Sequence, residues 1–516
     1  LKSPEVGKSG RPEVKEPGCG SLNFGLLSFP TSCLSDFRTF QLSDYFCGMR
    51  KKNVVLSQVT VQDYAAEGKA LSKVDGKVIF IEGAVPGDVV DVRLGKNKKD
   101  WAEGKAIHFH SYSPGRVQPF CEHFGVCGGC KWQMLPYQQQ LAYKENEVVQ
   151  NLRRLGKVAL PAIMPIMGCD TSTRYRNKLE FTFSNRRYLL PGEITASEGA
   201  NIPQSNALGF HVPRLFDKVV DINTCHLMDE PTNSIKNTIR SFALQQGYAF
   251  YDIRNHTGWL RTLILRICTT GEVMVNLCIA YEDVTEIKRL FDYLLQEVPS
   301  ITTLLYTVNP KKNDSIHDLQ PVPYYGKGYA IEKMEDFQFK VGPKSFFQTN
   351  TKQGEKLYQV ARDFAELTGK ETVYDLYCGT GSIGIFVSRL AGKVIGVEMI
   401  AEAIEDAKEN AQLNNIQHTS FFSGDVIDVC NDAFFEQHGR PDVIITDPPR
   451  AGMHEKLTRK IVDMAAPVVV YVSCNPATQA RDLQLLDEKY TVTKIQPVDM
   501  FPHTHHIENV VQLRLR

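Results

Sequence analysis

Neither sign of charge is in excess here: 59 Lys and Arg meet 59 Asp and Glu among 516 residues. Overall charge therefore gives no sign of a nucleic-acid partner, and any basic surface must be local. Candidates are residues 50–52, residues 96–99, and the group Arg174, Arg176, Lys178, Arg186 and Arg187. No apolar run reaches the roughly eighteen residues of a membrane span, and no basic-then-apolar secretory layout opens the chain. A soluble, cytoplasmic protein with no membrane partner and no obligate protein partner is expected. Regular cysteine spacing is lacking too. Thirteen unevenly spaced cysteines suit a reducing compartment, where thiols serve metals or catalysis better than disulfides.

The length predicts about three domains. Residues 1–48 are rich in Gly, Pro and Ser and read as a disordered leader. They also read as upstream sequence translated in frame, with the genuine start at Met49 before Arg50, Lys51 and Lys52. Short β-rich runs at 54–61, 77–81, 88–94 and 101–107 predict a small OB-like barrel over 49–110, a fold that often binds oligonucleotides. Residues 111–325 mix strands and helices around the basic group and predict an α+β central domain. From residue 326 a third domain follows, and from Thr372 strand and helix signals alternate as in a doubly wound parallel sheet. The strands are expected at 372–376, 393–397, 420–423, 442–446 and 468–472. The runs 490–498 and 509–515 close the chain with no helix between them, so the last strand should be antiparallel to its predecessor.

Chemistry collects at the ends of these strands, where ligands bind in such sheets. The first ends in Asp375-Leu-Tyr-Cys-Gly379-Thr-Gly381-Ser-Ile-Gly384, and Glu398 at the end of the second could hold ribose hydroxyls. A nicotinamide cofactor fits this glycine loop. Asp375 ahead of the glycines, the late position of the unit and the closing antiparallel strand point instead to S-adenosylmethionine. The fourth strand ends in Asp447-Pro-Pro-Arg450, where the prolines hold the loop extended. Amino-directed methyltransferases carry a base-stacking aromatic in the place of Arg450, so methylation of carbon is more attractive. The apolar run 468–472 delivers Cys474, and the final loop brings His503, His505, His506 and Glu508 to the same edge. A free cysteine is most often a buried packing residue, and an acid at a strand edge is most often solvated. Opposed across a cleft, thiol and acid become nucleophile and general base.

Cys121-Glu-His-Phe-Gly-Val-Cys127-Gly-Gly-Cys130, Ser345-Phe-Phe-Gln348, Asp375-Leu-Tyr-Cys-Gly, Asp447-Pro-Pro-Arg, Ser473-Cys474-Asn-Pro and His506-Ile-Glu508-Asn-Val together resemble the RNA uracil-5-methyltransferases, in particular the ribosomal RNA branch. The likeness runs from about residue 53 to the end. It implies a Rossmann-like class I methyltransferase domain and identifies the barrel as a TRAM domain that binds RNA. It implies that Cys474 adds to C6 of uracil, that Glu508 removes the C5 proton, and that Gln348, Tyr377, Glu398 and Asp447 contact S-adenosylmethionine. The target nucleotide should be flipped or come from a loop. The barrel and cysteines favour large-subunit 23S ribosomal RNA, with transfer RNA as the alternative. A nicotinamide oxidoreductase and an RNA-binding protein with a dead catalytic domain are the remaining rivals, and intact Cys474 and Glu508 count against the second. No basic residue adjacent to Cys474 is placed to lower its pKa, so bound RNA or the local fold must help supply the thiolate.

Cys121, Cys127 and Cys130 are spaced C-x5-C-x2-C, with Gly128 and Gly129 easing a tight wrap. The resemblance supplies Cys225 as fourth ligand. Four thiolates suit zinc or a [4Fe-4S] cluster, and the resemblance favours the cluster, in a structural or RNA-positioning role. The other cysteines, Cys378 included, are expected to be packing residues.

Overall fold

The computed structural model describes residues 54–190, 193 and 205–516. The leader expected over 1–48, and Met49 with it, lies outside the described residues. Among the described residues no helix is long and apolar enough to cross a membrane.

The first six strands, β1 (Val55–Thr60), β2 (Asp63–Tyr64), β3 (Ala70–Val74), β4 (Lys77–Glu82), β5 (Val89–Asn97) and β6 (Trp101–Ser111), form one sheet in the order β1-β5-β6-β4-β3-β2. It curls back on itself: the Ser72 hydroxyl donates to the Thr60 carbonyl at 2.8 Å, and Gln62 N–H to Leu71 O at 2.9 Å. Strands β2 and β3 escape the sequence pattern because they are short and broken by the turn at Ala66–Gly68. The barrel interior, Val59, Ile79, Ile81, Val90, Val92 and Ala102, is completed by Trp132, Met134 and Leu135 from the segment just beyond Cys130. Barrel and cysteine segment thus share one core.

The central sheet has the order β13-β12-β11-β10-β7-β8-β9, built from β7 (Lys178–Ser184), β8 (Ala207–Val212), β9 (Leu215–Asp221), β10 (Leu260–Ile267), β11 (Val273–Ile279), β12 (Thr303–Val308) and β13 (Val322–Tyr325). One face, with Leu263, Leu265, Val275 and Leu277, packs on the apolar stripes of helices Thr232–Gln245 and Val284–Glu297, as period-2 strands and period-3.6 helices dictate. A hairpin, β14 (Ala330–Met334) and β15 (Phe337–Val341), leads into the last domain.

There β16 (Thr372–Leu376), β17 (Lys393–Glu398), β18 (Thr419–Ser423), β19 (Val443–Thr446), β20 (Val468–Ser473), β21 (Tyr490–Val498) and β22 (Glu508–Leu515) take the order β18-β17-β16-β19-β20-β22-β21. The first five are parallel neighbours, and β22 inserts antiparallel between β20 and β21. Two apolar layers cover the faces of this sheet, which is why β19 and β20 read as unbroken apolar runs. The strand order reverses between β16 and β19, the switch point at which such sheets bind ligands.

Candidate active site

The insertion of β22 decides the site. Running antiparallel to its neighbours, it begins at the edge where β16, β17, β19 and β20 end. Ser473 pairs with Asn509, so Cys474, just past the end of β20, stands beside Glu508, the first residue of β22. Buried side chains fix that register: Gln479 donates to Tyr471 O at 3.0 Å and to Asn509 O at 3.2 Å, and accepts from the Asn509 amide at 2.7 Å. Directly after Cys474, Asn475 caps helix Pro476–Leu486, its side chain accepting from Ala477 N–H. The thiol therefore lies at the positive end of a helix.

Arg450 closes the site from the Asp447 loop. Its carbonyl accepts from the Asn475 amide at 3.0 Å and the Thr478 hydroxyl at 3.3 Å. Its guanidinium lies 2.5 Å from Nδ1 of His506, and its positive charge acts on the Cys474 thiol. The help expected from the local fold comes from Arg450, remote from Cys474 in sequence but close to it in space. Burial nonetheless pushes Cys474 up to about 11, helped by the charges of Glu508 and Asp447, with Arg450 pulling the other way. Burial also holds Glu508 well above the usual carboxylate range, aided by Asp447 and opposed by Arg450. His505 and His506 are lowered to about 4 and about 3, chiefly by burial, and are neutral imidazoles at pH 7.

On the β16 side, Asp375 accepts the Gly384 N–H at 2.8 Å, while its other oxygen has no partner. Burial, with Asp447 and Glu398 nearby, raises it to about 7. Asp447 is raised to about 7 by burial alone. Gly379 and Gly381 take positive φ, and a Cβ on Gly381 would stand 3.0 Å from Ala407 and Phe421. Glu398 accepts the N–H groups of Gly379 and Ile400 at 3.3 and 3.0 Å. Tyr377 adopts a left-handed φ of 63°, its N–H held by Val397 O at 3.0 Å. Gln348 is buried and lies near the hydroxyl of Tyr358, which meets Ser382 Oγ at 2.9 Å. Asp447 and Asp375 lie close enough to raise Tyr358. The residues expected from sequence, Gln348, Tyr377, Glu398, Asp447, Cys474 and Glu508, thus line one edge. Tyr358 joins them unforeseen, because on its helix it reads as one more aromatic of the buried stripe.

Such crowding of buried acids is short of positive charge. A pyrophosphate would add to the repulsion, whereas a ligand carrying a cation would relieve it. The glycine loop, read alone, leaves nicotinamide and sulfonium cofactors open; the electrostatics favour the sulfonium.

Away from this edge, Cys121, Cys127, Cys130 and Cys225 line a cavity of about 350 Å³ together with Phe124, Arg176 and Leu227. Burial raises all four thiols, Cys127 to about 12 and Cys130 to about 11. Among the described residues no three His, Cys, Asp or Glu side chains converge on a single metal position. Cys378 and Cys430 are buried packing residues, and no described cysteine is in a disulfide.

A family model for tRNA (Uracil-5-)-methyltransferase matches residues 330–516, and one for the TRAM domain matches residues 57–107. An uncharacterized RNA methyltransferase of Bacteroides thetaiotaomicron is 54% identical over 455 residues, covering 88% of this chain and 100% of that protein. One from Porphyromonas gingivalis is 50% identical over 458 residues, covering 88% and 98%. Among solved structures, the Pyrococcus abyssi tRNA (uracil-54, C5)-methyltransferase in complex with S-adenosyl-L-homocysteine has a TM-score of 0.68 at 25% identity, covering 88% of this chain and 100% of that one. With relatives of this identity along both barrel and catalytic sheet, the chain belongs to the RNA uracil-5-methyltransferase family and is an S-adenosylmethionine-dependent RNA methyltransferase with a TRAM domain.

Proposed function

We propose that the enzyme converts a uridine of RNA to 5-methyluridine through a covalent adduct between Cys474 and C6. The observation that carries this reading is the pairing of Ser473 with Asn509, which sets Cys474 beside Glu508 at the donor edge. C5 of uracil is a poor nucleophile. When the Cys474 thiolate adds to C6, the ring becomes an enolate whose C5 can take a methyl group. S-adenosylmethionine supplies that methyl and leaves as S-adenosylhomocysteine. The Glu508 carboxylate then takes the C5 proton, and the C6–S bond breaks to return the thiolate. Gln348, Tyr377, Glu398 and Asp447 are assigned to the donor, with Glu398 at the ribose hydroxyls.

Charge explains the order of these steps. A bound sulfonium, with Arg450, favours ionised Glu508 and Cys474. Once the methyl has moved, one positive charge is gone from the site, so the proton affinity of Glu508 rises at the step that must accept a proton.

The four cysteines are assigned to a [4Fe-4S] cluster rather than zinc. Thiols standing around a cavity of this size suit a group several ångströms across, whereas one zinc needs sulfurs converging on a point. Free thiols throughout the described chain accord with a cytoplasmic setting. Bound there, the cluster would act structurally, holding the segment that completes the barrel core.

Large-subunit ribosomal RNA is the proposed substrate, on the joint presence of barrel and cysteine quartet. Transfer RNA is the second reading, favoured by the activity of the Pyrococcus abyssi relative. Purified enzyme, labelled methyl donor and RNA from cells lacking this protein test both: 5-methyluridine should appear in 23S ribosomal RNA. Label only in transfer RNA selects the second reading, and label in neither rejects the proposed activity.

A further inference from the structure

The loop between β21 and β22 carries His503, His505 and His506 to Glu508, and elements from the other end of the chain grip it. Lys131 and Trp132, the two residues after Cys130, both donate N–H groups to His503 O, at 2.8 and 3.1 Å. Tyr175 donates its hydroxyl to Pro502 O at 3.0 Å, and Phe120, just before Cys121, packs edge-on to the His503 ring at 5.1 Å. Gly68, in the barrel turn, approaches so closely that a Cβ there would stand 2.9 Å from Cβ of His505. His503 itself holds a left-handed φ of 63°. A residue other than glycine keeps that conformation only where its surroundings over-determine it.

Gln140, on helix Tyr137–Asn151, lies at the centre of this grip and is fully buried. Its amide nitrogen donates to Trp132 O at 3.0 Å and Leu135 O at 2.9 Å and lies 3.2 Å from Nδ1 of His503. Its oxygen accepts the His503 N–H at 2.8 Å. One side chain therefore spans the segment leaving Cys130 and the backbone of the loop leading to Glu508. An apolar residue of the same size would fill the space but leave a buried N–H and two carbonyls without that partner.

We propose that Gln140 is a positioning residue for the Glu508 loop: its amide ties that loop to the cysteine segment, and without it the C5 proton is removed slowly while donor binding and thiol addition continue. This rests on the adduct reading above. It assigns a catalytic consequence to the cysteine segment, beyond completing the barrel core and holding the proposed cluster.

The test uses the full chain with Gln140→Leu and Gln140→Glu, on the unmodified transcript that the wild-type enzyme methylates. Its counterpart carries 5-fluorouridine at the target, where fluorine blocks loss of the C5 substituent, so trapping reports thiol addition and methyl transfer alone. Gln140→Leu should bind S-adenosylhomocysteine and trap fluorinated RNA like wild type, while turnover on ordinary RNA falls on the order of tenfold to a hundredfold. Gln140→Glu can copy the amide only when protonated, its carbonyl taking the His503 N–H and its O–H reaching Trp132 or Leu135 O. Its turnover relative to wild type should therefore decline as pH rises. A pH-independent ratio, or equal loss of trapping and turnover in the leucine variant, would show Gln140 to be packing alone. Should Gln140→Leu fail to fold, the pH profile of Gln140→Glu decides. Failure of the wild-type enzyme to trap fluorinated RNA overturns the adduct reading itself.

Discussion

Cys474 and Glu508 emerge side by side from antiparallel strands, β20 ending where β22 begins. Burial raises both above their ordinary pKa values; the charge of Asp447 raises both further, and that of Glu508 adds to the shift of Cys474. Arg450 is the cation already in place.

Replacing Cys474 with Ala should reduce methyl transfer to background while S-adenosylmethionine still binds, as measured by calorimetry. Turnover by this variant would remove the thiol from the mechanism.

Glu508→Gln keeps the shape of the side chain but cannot accept the C5 proton. Turnover should slow on the order of 10²- to 10⁴-fold, and an RNA adduct that survives denaturation should accumulate as a gel shift. Slow turnover without adduct would place Glu508 before thiol addition.

Arg450 lowers both Cys474 and Glu508. In Arg450→Met both pKa values rise, so at neutral pH a smaller fraction of each is ionised. The acidic limb of kcat/KM should move to higher pH, and below it the rate should be about tenfold slower for every pH unit the limb has moved. A variant slower by the same factor at every pH would argue against this role.

Asp375 and Asp447 titrate near 7 in the folded chain against an ordinary value of 3.8. Between those values the unfolded chain has released protons that the folded chain retains. Stability of the ligand-free enzyme therefore falls as pH rises from about 4 to about 7 and levels off above. A bound cation offsets this loss. The gain in Tm from S-adenosylmethionine should be larger at about pH 8 than at about pH 5.5, and the neutral sulfur of S-adenosylhomocysteine should show less of that difference. A pH-independent gain would separate these acids from the donor.

Protein purified without oxygen should contain iron and acid-labile sulfide, both lost in Cys127→Ser. Stoichiometric zinc in their place would overturn the cluster assignment.

Much of the fold can be read from the residues because burial leaves a strong pattern. Strands β16 and β21 match their expected bounds, and the apolar run of β20 is extended only by Ser473. Barrel strands β2 and β3 are not legible in this way, since two to five residues beside a turn carry too little periodicity. For the site, Cys474, Glu508, Asp447 and Glu398 stand out as reactive side chains at strand ends. Tyr358 and Gln140 do not, because a buried aromatic and a helical glutamine look the same in sequence whether or not they serve a site.

The sequence by itself determined the class of the enzyme, through reactive residue types at the ends of apolar runs and the order of its motifs. Only the tertiary structure decided which charges meet. It set Arg450 against Cys474, inserted β22 between β20 and β21 so that Ser473 pairs with Asn509, and brought the segment after Cys130 onto the loop before Glu508. The reason is physical: strand patterning encodes which face of a segment is buried, whereas pKa values and loop geometry depend on neighbours from distant parts of the chain, which no local pattern records.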